Sequence, residues 1–534
     1  MKAWSRLLRL ELRIFSAEPS NWIVVWLMLL AALAAITNGA HLIPSGRRIS
    51  SDAANAQAKQ HNTVLKAIQA EERQRSAKGD TGPTISWTVP LAVAVRNEIY
   101  NFEAVLPPGP LSATSFGHSD LLPQSFALVK YTDDRPSVDV GDGRVLSNVT
   151  PERKTESPLR VWLGKWDLAF VVVYLYPLFV VALCLDFITA DRANGTLALT
   201  LAQGVSSRSL ATARLTIRAL ALLLAGVVLP AIGIVVAHAV AGQPADVGRL
   251  LLWLMAVTGY LAVWVSACLI LNARSRSAIA NGLTMVTVWA VLTAILPAAV
   301  GLVARSVVTV PSRILLANSE RIERFAANEK MNNAFKDLIA SFDAKYPRGP
   351  NPEIVRNRFR FVGLLSRPEG NPVLQAFYST HPEFGRELIH YQIWYAALTG
   401  RDIYVERRMT PLFEELRSER RRQQSVAGLL SYLSPSMILK VTLDDIAGTG
   451  PERHQRFLTQ FGDYLRSREA WFTKRVAAAR DISSKDLSNF ALFRFDEEPA
   501  SVVAARVSLP VAALWILAAA LLYVGLRRCE SATI

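Results

Sequence analysis

The sequence predicts an α-helical polytopic membrane protein with six transmembrane helices and two large hydrophilic insertions, the second mostly helical. Three observations predict it. Of the 534 residues 51% are hydrophobic and 19% charged, with a mean hydropathy of +0.23. The apolar residues are gathered into runs of about 18 or more, the length needed to cross a bilayer. Lys and Arg then collect beside the ends of alternate runs, on one side of the membrane. That distribution accounts for the net charge of +15. The basic residues are scattered and many flank spans, so no nucleic acid is expected as a partner.

Residues 1–20 read as an amphipathic helix. Trp4, Leu7, Leu8, Leu12 and Phe15 share one face at helical spacing, Lys2, Arg6, Arg9 and Arg13 group on the other, and only Glu11 intrudes on the apolar side. A basic helix of this kind lies among cytoplasmic headgroups, with Trp4, Arg6, Arg9 and Arg13 at the membrane surface. Glu18-Pro19-Ser20 breaks it, and the first span occupies residues 21–40. A cleaved signal peptide is the other reading, but Asn38-Gly39-Ala40 is a poor cleavage site and the long polar-faced start argues against it.

Residues 41–166 form the first hydrophilic segment, of mixed α/β character. Residues 51–78 read as a helix. Beyond Gly79 the chain turns extended and proline-rich, with alternation over residues 85–89 and the run Pro107-Pro108-Gly109-Pro110. Gly117-His118-Ser119-Asp120 sets Ser, His and Asp side by side, whereas the partners of a triad converge from separate elements, so a structural loop is expected.

The second span, residues 167–188, is pinned between Asp167 and Asp186, since either carboxylate at the bilayer centre would cost about 2.5–3.5 kcal/mol. Residues 189–213 follow as a polar link: Asp191-Arg192-Ala193-Asn194-Gly195-Thr196, then Leu197, Leu199 and Leu201 as a contact face, then a turn over Gly204 to Arg208. Spans three to five fall at 214–240, 249–271 and 278–304, with a kink expected at Pro230 and Gly233. His238 stands near a span end without a partner histidine and reads as interfacial.

Residues 305–506 are the second hydrophilic segment, long enough to bury a core of its own. Helices are expected over 314–342 and 384–424, the latter ending in Arg420-Arg421-Arg422 as a solvated face. Ser434 and Pro435 suit the start of another helix and Gly448 its end. The sixth span is 507–526, and 527–534 is a tail. Cys184, Cys268 and Cys529 lie in spans or tail, so disulfides staple neither hydrophilic segment. The basic clusters at 2–13, 192–218, 274–276 and 527–528 share one side. Both termini are therefore expected in the cytoplasm and both insertions outside it.

The order found in residues 166–218 is span, acidic residues, Gly-Thr-Leu, short amphipathic helix, basic residue, span. It resembles the cytoplasmic coupling segment of ABC-2-type ABC transporter permeases. Residues 106–129 and 432–461 look like segments of a subgroup with large extracytoplasmic domains, and the N-terminal helix fits that family's elbow helix. The resemblance implies a transmembrane permease subunit of an exporter in the bacterial cytoplasmic (inner) membrane. It implies a separate ABC ATPase that carries ATP and Mg, no cofactor on this chain, and a second permease copy or paralogue among membrane lipids. The ATPase-coupling residues it implies are Asp186, Asp191, Arg192, Gly195, Thr196, Leu197, Leu199, Arg208 and Arg214. The sequence departs from the family in having Asp191-Arg192-Ala193-Asn194 where Glu residues are usual. It also has Gly204-Val205-Ser206 for Pro-Val-Ser, and Arg214 where Lys is common.

No catalytic role is expected of the chain itself. It has no GxxxxGK[ST] phosphate loop, HExxH, Cys-x-x-Cys or GxSxG. The seven histidines are dispersed, and His381 and His390 are too far apart for one helical metal face. A non-transporting sensor or assembly scaffold with ligand-binding outer domains is the alternative, although a sensor would carry a cytoplasmic output domain. A membrane-embedded hydrolase lacks an acid/base pair within the spans.

Overall fold

The computed structural model describes residues 2–77, 103–117, 122–128, 138–139, 145–146, 149–151, 166–185, 188–274, 277–345, 389–477 and 483–531. Six helices are long and apolar enough to cross a membrane: Pro19–Gln74, Leu168–Arg192, Ser207–Val240, Val247–Ala273, Ala278–Val307 and Ala500–Cys529. They are numbered as spans one to six. The fourth lies at the centre, packed along the sixth, with Trp253, Tyr260 and Trp264 fully buried.

Three spans carry the same irregularity. Single π turns at Val171–Leu175, Leu224–Val228 and Val291–Ile295 each end two residues before a proline, Pro177, Pro230 and Pro297. A proline ring collides with the carbonyl four residues back and offers it no N–H. Widening that turn moves the carbonyl aside while the helix continues. At Pro230, where a kink is expected, the helix carries such a widened turn.

Helix α1 (Lys2–Ala17) is followed by α2 (Pro19–Ala77), which holds the first span and then continues without a break past Pro44. At 1.5 Å per residue α2 is roughly 88 Å long. The helix expected over 51–78 is the far half of this one rod. The end of the apolar run marks where a bilayer would end, and the helix does not stop there.

Apart from the link between spans two and three, the remaining elements gather on the side of the bundle away from α1. Strands β1 (Glu103–Val105), β2 (Ser125–Leu128) and β5 (Val149–Pro151) form an antiparallel sheet in the order β1-β2-β5, with Phe126 opposite both Ala104 and Pro151. Strands β3 (Val138–Asp139) and β4 (Val145–Leu146) pair separately. The alternation over 85–89 and the His118-Ser119-Asp120 loop lie outside the described residues. Helix α3 (Thr196–Ala202) links spans two and three. Helices α4 (Arg313–Lys345) and α5 (Ile389–Ser431) pack through Ala327, Val405, Met409 and Phe413.

Helix α6 (Pro435–Ala447) begins as expected, with the Ser434 hydroxyl accepting from the Met437 amide, and ends at Gly448 with φ +73°. Its Ile438, Leu439, Leu443 and Ile446 belong to the same hydrophobic core as the spans. In α7 (Pro451–Ala477), Phe457 and Phe461 pack on Ala104, Leu106 and Phe126. Within 305–506, expected from its length to bury a core of its own, α6 and α7 pack on other parts of the chain. One face of α6 is seated on the spans, and α7 shares a core with the first hydrophilic segment.

Candidate functional site

At the end of the bundle that carries α1, the link between spans two and three is moored by Arg214. Its Nε donates to Glu11 Oε1 at 3.1 Å, and its Nη2 stands 2.5 Å from Asp191 Oδ2. The Thr196 hydroxyl donates to Asp191 Oδ1 at 3.0 Å. Glu11, the residue that broke the apolar face of α1, is buried because it is the counter-charge of a third-span arginine. Long-range pairing of this kind leaves no periodic signal in the sequence.

Phe15 is buried and Leu7 and Leu8 are half-buried, while Arg6, Arg9 and Arg13 are exposed. Trp4, Leu10, Leu12 and Ile14 flank the buried line as exposed apolar residues.

Between Asp191 and the third span the backbone turns twice through glycine. Gly195 has φ +74° and Gly204 φ +80°, and a Cβ at either would meet nothing within 4 Å. A left-handed turn needs glycine for its φ alone. Helix α3 lies between them. Leu197, Leu199 and Leu201 do not form the single face expected of them, because residues two apart on a helix point in opposed directions. Leu197 and Leu201, four apart, line a cavity of about 270 Å³ with Leu210, Ala211 and Cys529. Leu199 faces away and is 69% exposed. Arg208 is exposed at the start of the third span and Arg192 lines the cavity. Asp186 lies outside the described residues.

Three more bonds tie this end together. The Ser207 hydroxyl donates to the Cys529 carbonyl at 2.8 Å, joining the third span to the last turn of the sixth. Arg218 donates to the Leu183 carbonyl at 2.7 Å, and Asn272 to the Cys184 carbonyl at 2.8 Å.

The opposite end holds residues that the sequence reading did not single out. Arg249, on the first turn of the fourth span, has a side chain only 1% exposed. It donates to the Glu498 carbonyl at 2.7 Å and the Ile446 carbonyl at 3.3 Å. Glu497, 3.6 Å from Arg249, is also gripped by Arg453 at 2.6 Å, and Arg453 donates to the Pro107 carbonyl at 3.0 Å. Arg506 bridges Glu498 and Asp445.

Beside this cluster, the Ser115 hydroxyl donates to Asp444 Oδ1 at 2.6 Å, and Lys440 reaches the same oxygen at 2.6 Å. Asp167, expected to mark the edge of the second span, accepts the Phe170 and Phe116 amides at 2.6 and 2.9 Å. It caps the span and ties a loop to it. A hint was available in the sequence: Arg249 follows Asp246 at the opening of an apolar run, where a charge requires a partner. His238, expected at an interface, is fully buried instead, and neither ring nitrogen has a hydrogen-bond partner among the described residues.

A family model described as a domain of unknown function, DUF3526, matches residues 366–496. The match takes in α6, α7 and Asp444, Asp445 and Arg453 of the far-end cluster. No curated protein and no solved structure matches the chain.

Proposed function

We propose that this chain is the transmembrane permease subunit of an ATP-driven ABC-2-type exporter in the bacterial cytoplasmic membrane. A separate ABC ATPase would dock on α3. In this reading both termini are cytoplasmic, α1 is an elbow helix at the membrane surface, and the two hydrophilic segments are extracytoplasmic. ATP and Mg belong to the partner.

One observation carries the proposal. A short helix between two spans presents a bare leucine, Leu199, while its other leucines are turned inward. Burying Leu199 under a partner would contribute about 1.5–3 kcal/mol. A push on α3 has three routes into the membrane helices: Asp191–Arg214 to the third span, Glu11 to α1, and Ser207 to the sixth span. The glycine turns on either side let α3 move without bending a span.

The test is Leu199→Asp, compared with Leu429→Asp, which charges another exposed leucine far from α3. Both proteins should insert and accumulate as wild type. Leu199→Asp should lose co-purification with the ATPase at least tenfold, and Leu429→Asp should retain it. Wild-type ATPase association and transport in Leu199→Asp would overturn the reading.

A further inference from the structure

Helix α7 buries one face and keeps a polar face outside. Arg453, His454, Phe457 and Phe461 are buried, while Glu452, Arg456, Thr459 and Gln460, at helical spacing, are exposed or half-buried. With Glu498 and Arg506 these four border a cavity of about 490 Å³ between α7 and the first turns of the sixth span. That volume is within the range of about 300–1,000 Å³ typical of small-molecule sites. The charges around it balance, with two carboxylates, Glu452 and Glu498, and two guanidiniums, Arg456 and Arg506.

Part of this charge is open to a ligand. Arg506 pairs with Glu498 and Asp445, and Arg456 with Asp496, whose side chain is 85% exposed. A surface bond of that kind yields easily to water or to a stronger anion. Glu452 has neither a hydrogen-bond nor an ion-pair partner among the described residues, and its charge repels Asp445. A cation held at Glu452 would relieve that repulsion.

The cavity stands at the edge of the bilayer. A hydrocarbon core of about 30 Å takes roughly 20 helical residues, and counted back from Arg527-Arg528 they reach as far as Val507. Arg506 therefore lies at headgroup level on the side away from α1. Leu509 and Ile516, below Arg506 on nearly the same face, are 67% and 69% exposed. Only 22% of the most apolar stretch of the sixth span is buried, so acyl chains cover this stripe.

We infer that the cavity binds the headgroup of a phosphoethanolamine lipid from the leaflet away from α1, with its chains along Leu509 and Ile516. The phosphate meets Arg456 and Arg506, since a guanidinium fork matches phosphate oxygens. The primary ammonium donates to Glu452. A lining of zero net charge favours a zwitterion over an anionic lipid, which brings no ammonium to Glu452. The site lies at the opposite end of the bundle from α3 and requires only that the chain spans a membrane.

The full chain, extracted in detergent and stripped of lipid, tests it by native mass spectrometry. Dioctanoyl phosphatidylethanolamine and dioctanoyl phosphatidylglycerol are offered in equal amounts. The wild type should retain the phosphoethanolamine lipid about tenfold more, the worth of one charge-assisted hydrogen bond. Glu452→Gln should erase that preference, and Glu452→Lys should reverse it, a gain that a collapsed cavity does not give. Arg456→Gln should weaken retention of both lipids, and Arg408→Gln, an exposed charge on α5, should change neither. Glycerophosphoethanolamine, the same headgroup without chains, should fail to displace the lipid at equal concentration. Four results would overturn the proposal: equal retention of the two lipids by the wild type, no reversal in Glu452→Lys, unchanged retention in Arg456→Gln, or displacement by the chainless headgroup.

Discussion

The two ends of the helical bundle are each fastened by an arginine near the start of a span, Arg214 and Arg249, and they are fastened in opposite styles. At the α1 end a single guanidinium, Arg214, holds Glu11 and Asp191, and beyond it the chain turns through Gly195 and Gly204 in open space. At the far end Arg249, Arg453 and Arg506 interlock through shared Glu497 and Glu498 and reach carbonyls from three other segments. Glycines there are crowded: a Cβ on Gly109 would collide with the Ala447 carbonyl. The link that carries α3 is flanked by glycine turns in open space and can move as a unit, whereas a region locked by shared ion pairs opens only with the whole fold. The α1 end is built like a lever mount and the far end like a clamp.

The largest expected effect separates these two styles directly. Arg249→Met strips buried carbonyls and Glu497 of a partner, which costs about 3–5 kcal/mol, the range for breaking a buried ion pair from one side. Arg214→Met should cost less, about 2–3 kcal/mol, because it leaves buried Glu11 without its counter-charge, while the Asp191 side chain is 23% exposed and water can take over there. Thermal unfolding in detergent should therefore show the larger fall in Tm for Arg249→Met. Brief trypsin treatment should cut at Arg9 and Arg13 only in Arg214→Met. Equal losses in Tm with no new cleavage would erase the distinction between clamp and mount.

That contrast was only half legible in the sequence. The six spans were, because a run of apolar residues has no other stable destination. So were the Ser434 cap, the Gly448 stop and the turn at Gly195, each set by local chemistry that needs no tertiary partner. The continuous α2 was not, because hydropathy falls at His41 while helix propensity over 51–78 does not. The placement of α6 against the spans was missed for a related reason: the same apolar face would serve a self-contained domain. Arg249, Glu11 and Glu497 find their partners across hundreds of residues, and one sequence carries no record of such pairings. On α3 the error was one of period, three alternate leucines being read as one face of a helix.

The next effect is confined to the clamp. Burial pushes the Asp445 carboxyl up to about 6 from an ordinary 3.8, with Arg506 opposing and Glu452, Asp444 and Glu498 reinforcing the rise. The folded far end therefore binds this proton more tightly than the unfolded chain does. Stability is fully present below the unfolded value and falls as pH climbs from about 4 to about 6, by on the order of 2–3 kcal/mol. Asp445→Asn removes that dependence. The Tm of the variant relative to wild type should rise across this window and level off above it. A flat difference from pH 4 to 7 would mean that Asp445 is not buried as a tight member of the clamp.

The smallest effects come from two glycines with the same backbone and different surroundings. Gly448 has φ +73° and Gly195 φ +74°, so an alanine at either must adopt a left-handed conformation at a cost of about 1 kcal/mol. At Gly448 the new methyl would also stand 2.8 Å from Pro110 Cδ and 3.2 Å from Arg453 Cδ, within the clamp. Gly448→Ala should therefore cost about 2 kcal/mol, and Gly195→Ala only the conformational part. Gly195→Asn isolates that part further, since Asn tolerates the left-handed region and should leave Tm unchanged. If α3 is the docking helix, the ranking reverses in the functional assay. Gly195→Val, which resists this φ most, should lose ATPase co-purification, Gly195→Asn should keep it, and Gly448→Ala should have no effect on it. Retention by Gly195→Val would show that the turn merely connects two spans and that the lever mount has nothing attached to it.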